Sequence, residues 1–253
     1  MEGIGVNVGD SQILDKKCFV ENVEIGKINS NTKKEKALSV KKEENKGKLL
    51  YRVVKRSVDV VGSIVGIILL IPLTIIIYIA NKINKDNGPI FFVQERIGKN
   101  GKIFKMYKFR SMVTGAEEKL EKYLEENEEA REEYKINKKL KCDPRITKVG
   151  IFIRKTSLDE FPQFINVLKG EMSLVGPRPY LPREKEDMGE YYKYIVSKKP
   201  GITGFWQVSG RSEVNFEDRL IMDMDYFNKG NMGLDAKLLI KTVGKVLKKE
   251  GAV

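Results

Sequence analysis

Histidine is absent from all 253 residues of the chain. That absence removes the commonest general base and the commonest transition-metal ligand, so nucleophilic or acid–base work falls to carboxylates. Cysteine is nearly absent: Cys18 and Cys142 stand in unrelated contexts without metal-type spacing. A disulfide framework and a zinc site are thereby excluded, and reduced cytosolic thiols are the default. The first 30 residues mix acids, bases and glycines and lack the apolar core of a signal peptide. No Walker loop, dinucleotide fingerprint, zinc finger or aromatic RNA-binding motif occurs, so nucleic acid is not an expected partner.

What the chain has in excess is positive charge, a net +12. Such a balance suits an anionic partner, a phosphorylated substrate or an anionic lipid. The length accommodates one large domain plus an extension. Residues 1–50 are rich in Lys, Glu, Asn and Ser with little apolar periodicity, the composition of a flexible basic arm. From Val60 to Ala80 the chain then runs 21 residues without a charge. A straight helix of that length just crosses a hydrocarbon core of about 30 Å. Two features favour re-entry over crossing. Pro72 falls near the middle and bends a helix, and both flanks are basic, with Lys55 and Arg56 before and Lys82 and Lys85 after. The positive-inside bias holds both ends on the cytoplasmic face. The expected organisation is an arm over 1–50, a membrane helix over 51–85 bent at Pro72, and a catalytic domain over 86–253.

Within that domain Ile90–Arg96 and Lys102–Arg110 are β-prone runs around a Gly98–Gly101 turn, which predicts a hairpin. Lys105, Lys108 and Arg110 make its second strand basic. Residues 117–139 are densely charged, with Leu120, Tyr123 and Leu124 spaced as on a solvated helix. Asp159 and Glu160 follow Arg154 and Lys155. After them Phe161, Phe164, Ile165 and Leu168 repeat with helical period, and Gly170 is a stop signal. Asp159 is expected near that helix's N-cap, and Ser157 with Glu160 matches a capping box, so capping competes with catalysis as the reason for the pair. A helix start also favours a bound phosphate. Lys199–Arg211 is a Gly-rich loop offering Gln207 and Arg211. The last helix, from Leu234, is expected to gather Ala236, Leu239, Ile240 and Val243 on one face. Lys237, Lys241 and Lys245 line another, a pattern for either a membrane surface or a core with solvated lysines.

Taken in order, K-R-x-x-D (Lys55 to Asp59), the Pro-broken run, K-F-R-S-M (Lys108 to Met112) and D-P-R-I-T (Asp143 to Thr147) lead to R-K-T-S-L-D-E-F-P-Q (Arg154 to Gln163). L-K-G-E-M-S-L-V-G-P-R-P (Leu168 to Pro179) and K-P-G-I-T-G-x-W-Q-V-S-G-R (Lys199 to Arg211) follow. Over about residues 50–250 the chain resembles the bacterial sugar transferase family, the monotopic phosphoglycosyl transferases that act on polyprenyl phosphate. The resemblance implies an α+β, mainly helical fold: a re-entrant Pro-broken membrane helix, interfacial amphipathic helices and a small β-hairpin. It implies Asp159 as nucleophile toward the β-phosphate of a UDP-sugar, with UMP released and the sugar phosphate then passed to polyprenyl phosphate. By the same resemblance Mg²⁺ is the cofactor, with Asp159 and Glu160 as its carboxylates and Glu160 as acid–base helper. Lys108, Arg154 and Arg178 would face the phosphates, with Arg110, Arg145, Gln207 and Arg211 as further substrate contacts. Membrane lipid is a partner, the cytoplasmic face of the inner membrane the location, and glucose or galactose the expected sugar, with an N-acetylated sugar as the alternative. A homodimer is left open.

One departure stands out. Some small members carry Ser before the bend proline, where this chain has Ile71; Ser63 or Thr74 would have to serve instead. The large transmembrane and nucleotide-fold extension of the biggest members is not expected. The competing reading is a non-enzymatic basic membrane adaptor that binds anionic lipid or nucleic acid.

Overall fold

The computed structural model describes residues 46–137, 140, 142–209 and 214–248. Most of the 1–50 arm, Cys18 and Arg211 lie outside them. The chain opens with α1 (Lys46–Ile83), then β1 (Phe91–Ile97), β2 (Ile103–Phe109), α2 (Ala116–Glu126), α3 (Glu128–Asn137) and α4 (Lys148–Lys155). There follow α5 (Gln163–Lys169), β3 (Ser173–Val175), α6 (Tyr192–Ile195), β4 (Gly201–Thr203), α7 (Phe205–Ser209), α8 (Phe216–Lys229) and α9 (Met232–Lys248). The fold is α+β and mainly helical, as expected.

Helix α1 is helical without interruption through Pro72. The proline has no N–H to offer the carbonyl of Ile68, which is a cause of bending. Nearby, Thr74 Oγ1 donates to the Leu70 carbonyl at 2.7 Å and the buried Ser63 donates to Val60 O at 2.9 Å. Hydroxyl groups bonded back to the preceding turn also bend helices, and Thr74 places one beside Pro72 while Ser63 places one further back.

One face of α1 is packed along most of its length, and small residues make the approach close. A Cβ on Gly62 would lie 2.6 Å from Leu174, and one on Gly66 would run into the Phe164 ring. Further along, Leu70 and Ile77 join Phe109 and Ile153 in one buried cluster. The opposite face is bare: Val61, Ile68, Ile71 and Ile76 are each more than 60% exposed. Phe91, Phe92 and Val93 on β1, and Ile151 and Phe152 on α4, add exposed apolar surface.

The expected hairpin forms, with Phe91 opposite Phe109 and Ile97 opposite Ile103. Asn100 (φ 59) and Gly101 (φ 77) take the left-handed conformations of its turn. The charged segment is two helices rather than one, breaking at Asn127 and closing on a small core of Leu120, Ala130 and Leu140. Strands β3 and β4 pair in parallel, Ser173 with Gly201 and Val175 with Thr203. That pairing requires glycine: a Cβ on Gly176 would strike the Lys199 carbonyl, and one on Gly201 would strike Gly176.

The face of α9 differs from expectation. Leu238 is the buried residue, with Leu234 and Leu239 packed beside it, whereas Ile240 and Val243 are 74% and 59% exposed. Residues 235, 238, 239 and 242 share the inward side of the helix; 236, 240 and 243 turn outward. The helix therefore packs one side on the core, and Ile240 and Val243 beside Lys237 and Lys241 give its other side an exposed amphipathic character.

Candidate active site

Asp159 and Glu160 stand in a short 3₁₀ turn (Leu158–Glu160) between α4 and α5. The capping box does not form. Ser157 adopts φ 56, the left-handed region, and makes no side-chain cap bond, while α5 begins only at Gln163 with Pro162 as its N-cap. A non-glycine residue held there costs about 1–3 kcal/mol, so the surrounding packing enforces the turn. The stop at Gly170 (φ 83) forms as expected, its N–H returning to Asn166 and Val167.

Cations reach the pair from two elements. Lys108 on β2 brings its Nζ to 3.3 Å from Glu160 Oε1. Arg154, in the last turn of α4, spends its Nε on Ser111 Oγ at 2.8 Å. Burial pushes the Asp159 carboxyl up to about 6; Lys108 pulls against that rise, the neighbouring Glu160 adds to it, and Arg154 opposes it. Burial also lowers the Arg154 guanidinium, and the charges of Asp159 and Asp143 oppose that. With its value raised to about 6, the Asp159 carboxyl is still mostly ionised at neutral pH.

The remaining candidates divide. Arg110 is consumed by the scaffold: it is 7% exposed and donates to Asp86 Oδ1 and Met112 O at 2.8 Å and to Pro89 O. Arg145 is held in a fork by Asp143, at 2.8 and 2.7 Å. Both are structural cross-links, and the fork sits beside Arg154, whose guanidinium feels both partners. Arg178 lies on the Gly-Pro-Arg-Pro corner after β3, its backbone N–H on Asp223 Oδ2 at 3.1 Å and its guanidinium 5.2 Å from the centre of Trp206. Gln207 follows Trp206 on α7. Pro72 lies inside α1, away from the dyad turn in sequence and joined to it through the cluster that contains Leu158 and Phe161.

Sequence reasoning missed Arg96, Trp206, Arg219 and Asp223. Arg96 on β1 is buried, donates to Pro179 O at 2.9 Å, and its guanidinium is pushed down to about 10 by burial and by Arg178, against the pull of Glu184 and Glu160. It links the dyad electrostatically to the Arg178 corner. Trp206 carried the one available signal, as the single tryptophan of the chain in a Gly-rich loop. Arg219 and Asp223 have no spacing that marks them.

Among the described residues no group of three or more Asp, Glu, Cys or His side chains could hold a metal ion by itself. The two adjacent carboxylates fit a hard divalent ion shared with a substrate's phosphate oxygens, which is how Mg²⁺ is commonly held.

The K-R-x-x-D segment is wholly structural. Lys55 pairs with Asp235 at 2.7 Å, Arg56 caps the Val167 and Leu168 carbonyls at the end of α5 (2.7 and 2.8 Å), and Asp59 accepts from Ser173 Oγ and Leu174 N at 2.9 Å.

The sequence model of the family described as bacterial sugar transferase matches residues 50–249. The chain is 46% identical over 210 residues to the undecaprenyl-phosphate galactose phosphotransferase of Salmonella typhimurium, an overlap of 83% of this chain and 44% of that protein. It is 39% identical over 198 residues to the exopolysaccharide production protein ExoY of Rhizobium meliloti, 78% of this chain and 87% of that one. With the UDP-glucose:undecaprenyl-phosphate glucose-1-phosphate transferase of Escherichia coli it shares 38% identity over 202 residues, 77% of this chain and 40% of the other. The chain thus spans less than half the length of the Salmonella and Escherichia relatives and most of the Rhizobium one.

Proposed function

This chain belongs to the bacterial sugar transferase family, and on that premise we propose that it is a membrane-bound phosphoglycosyl transferase. It moves a hexose 1-phosphate from a UDP-sugar to polyprenyl phosphate and so starts the synthesis of an exopolysaccharide, capsule or other surface glycan. The observation that carries the reading is the Asp159–Glu160 turn, with Lys108 and Arg154 converging on it, mounted directly on an apolar helix. The relatives' names, a galactose phosphotransferase and a glucose-1-phosphate transferase, support a hexose.

In the first half-reaction an Asp159 oxygen bonds to the β-phosphorus of the donor. The bridging oxygen leaves with its electron pair as the second negative charge of UMP, and an acyl-linked phosphohexose remains on Asp159. Lys108 and Arg154 offset the repulsion between a carboxylate and a diphosphate. Asp159 and Glu160 would hold Mg²⁺, which when bound supplies further neutralisation of phosphate charge. In the second half-reaction the phosphate of the lipid attacks the same phosphorus and frees Asp159.

Helix α1 is read as re-entrant, dipping into the cytoplasmic leaflet and bending at Pro72. Its N-terminal half docks on α5 and β3 and its C-terminal half on Phe109 and Ile153, all parts of one domain. A helix fastened at both halves to one water-soluble domain keeps both ends on that domain's side. Cysteines introduced at Leu49 and Lys85 are expected to react with an impermeant reagent only from the cytoplasmic side; reaction of one from each side would establish a crossing helix.

Intact-mass measurement on purified protein with UDP-glucose or UDP-galactose and Mg²⁺, before any lipid is added, is expected to find a hexose phosphate adduct and one equivalent of UMP. Asp159→Asn protein that still releases UMP at the wild-type rate would remove Asp159 as nucleophile.

A further inference from the structure

Beyond Glu160, reached through Arg96, lies a concentration of positive charge. Arg178 and Arg219 place their guanidinium carbons 5.2 and 5.3 Å from the centre of the Trp206 ring. Among the described residues neither guanidinium lies within ion-pair distance of a carboxylate. Among the described residues the Trp206 indole N–H and the Arg96 Nε–H are buried without an acceptor. Burial and the charge of Arg178 together lower the Arg219 guanidinium, so the two cations repel each other where they stand.

Asp223 does not neutralise this excess. Its Oδ2 is taken by the Tyr180 hydroxyl at 2.8 Å and the Arg178 N–H at 3.1 Å, its buried Oδ1 meets no donor among the described residues, neither arginine side chain included, and burial pushes its carboxyl up to about 7. It fixes the Arg178 corner instead. Buried donors without acceptors are uncommon in folded proteins, and crowded guanidinium groups on an aromatic face are costly without an anion. The missing partner is acceptor-rich and multiply charged, which describes a phosphate ester.

Two phosphate esters meet such an enzyme, a nucleotide and a lipid phosphate. The surroundings favour the water-soluble one: between residues 169 and 239 no described large hydrophobic side chain is exposed, whereas α1, β1, α4 and α9 all expose them.

We propose that Trp206 and Arg219, together with Arg178, form the subsite for the nucleoside monophosphate half of the donor, the half that departs. This rests on the transferase reading and extends it. The dyad turn takes the phosphate that stays with the sugar, and the arginine pair takes the phosphate that accumulates charge as the bridging bond breaks. Arg219 is then a substrate-binding residue on α8, outside every segment in which the family motifs were recognised.

The single tryptophan makes the test direct, because all tryptophan emission of the full-length protein reports this position. In detergent or nanodiscs, titration with UMP is expected to change Trp206 emission saturably, and a short-chain polyprenyl phosphate is expected to leave it unmoved. Arg219→Ala is expected to weaken UMP binding roughly 10- to 100-fold and raise the donor KM similarly, the scale of losing a charged hydrogen bond. The acceptor KM is unchanged, and Arg219→Lys restores part of the loss. Equal melting temperatures of wild type, Arg219→Ala and Arg219→Lys exclude misfolding as the cause, and Trp206→Phe provides a second variant assayed by equilibrium dialysis.

Wild-type adduct formation combined with unaltered UMP affinity in Arg219→Ala and Trp206→Phe overturns the subsite and leaves the transferase reading standing. Emission that answers to polyprenyl phosphate and not to UMP overturns it in favour of the lipid. Absence of both adduct and UMP binding in the wild type overturns both.

Discussion

Two stretches of this chain look alike as sequence, Lys55-Arg56 with Asp59, and Arg154-Lys155 with Asp159-Glu160, yet the fold treats them in opposite ways. In the first every charge is satisfied internally: Lys55 by Asp235, Arg56 by two carbonyls, Asp59 by a hydroxyl and an N–H. In the second the ties are sparse. Lys108 reaches Glu160 only at 3.3 Å, Arg154 has one bond to a serine, and Asp159 is held above its ordinary range by burial. A charge saturated within the protein is an element of the scaffold. A charge left underused in a partly buried setting is available to a ligand.

Variants that exchange the fates of the two stretches break this comparison if it is wrong. Asp159→Asn is expected to lower turnover by at least about 10³-fold, the scale of removing a covalent nucleophile, without lowering the melting temperature. The sign of its pH effect on stability follows from the raised carboxyl. A group whose folded pKa of about 6 lies above its unfolded value binds its proton more tightly when folded. Its contribution is therefore present at low pH and declines as pH rises through 6, and thermal melts of Asp159→Asn across pH 4–7 are expected to lose that component.

Asp235→Ala reverses the pattern. It strands Lys55 and removes the acceptor of Tyr51 and Tyr226, and is expected to cost about 3–5 kcal/mol, read by denaturant titration, with the KM of the remaining folded enzyme unchanged. Lys108→Ala is expected to reduce kcat/KM about tenfold to 100-fold at constant stability. On the proposed mechanism activity is expected to fall as pH drops through the Asp159 value, since only the carboxylate would attack. Lys108 lowers that value, so its removal moves the acid limb of the rate profile to higher pH. A limb that stays in place, or moves down, would detach Lys108 from the dyad.

Much of this was legible beforehand where local chemistry is decisive. The Gly98–Gly101 turn, the Gly170 stop and the Asp159–Glu160 pair are each written in a few adjacent residues. Other features depend on partners distant in sequence. Arg110 and Arg145 look like Lys108 in a string of letters, and only Asp86 and Asp143 divert them to the scaffold. Ser157 and Glu160 have the spacing of a capping box, but tertiary packing turns Ser157 left-handed and delays the helix. On α9 the apolar residues occupy most of the circumference, so the pattern left the inward side ambiguous until Leu238 and Asp235 met β3 and α1. Arg219 was invisible because its meaning is its distance to Trp206.

Helix α5 has a consequence of its own. It begins three residues after Glu160, its Phe164 seats against Gly66, and its last carbonyls are held by Arg56. Both of its ends therefore ride on α1, one beside the reacting carboxylate. On the proposed reading, in which α1 lies in the lipid, α5 would act as a depth gauge: the height of Asp159 above the acyl chains would be set by how far α1 sinks. A phosphate tethered to a lipid has almost no freedom along that axis. In the proposed mechanism bilayer thickness would thus become a variable of the second half-reaction and not of the first.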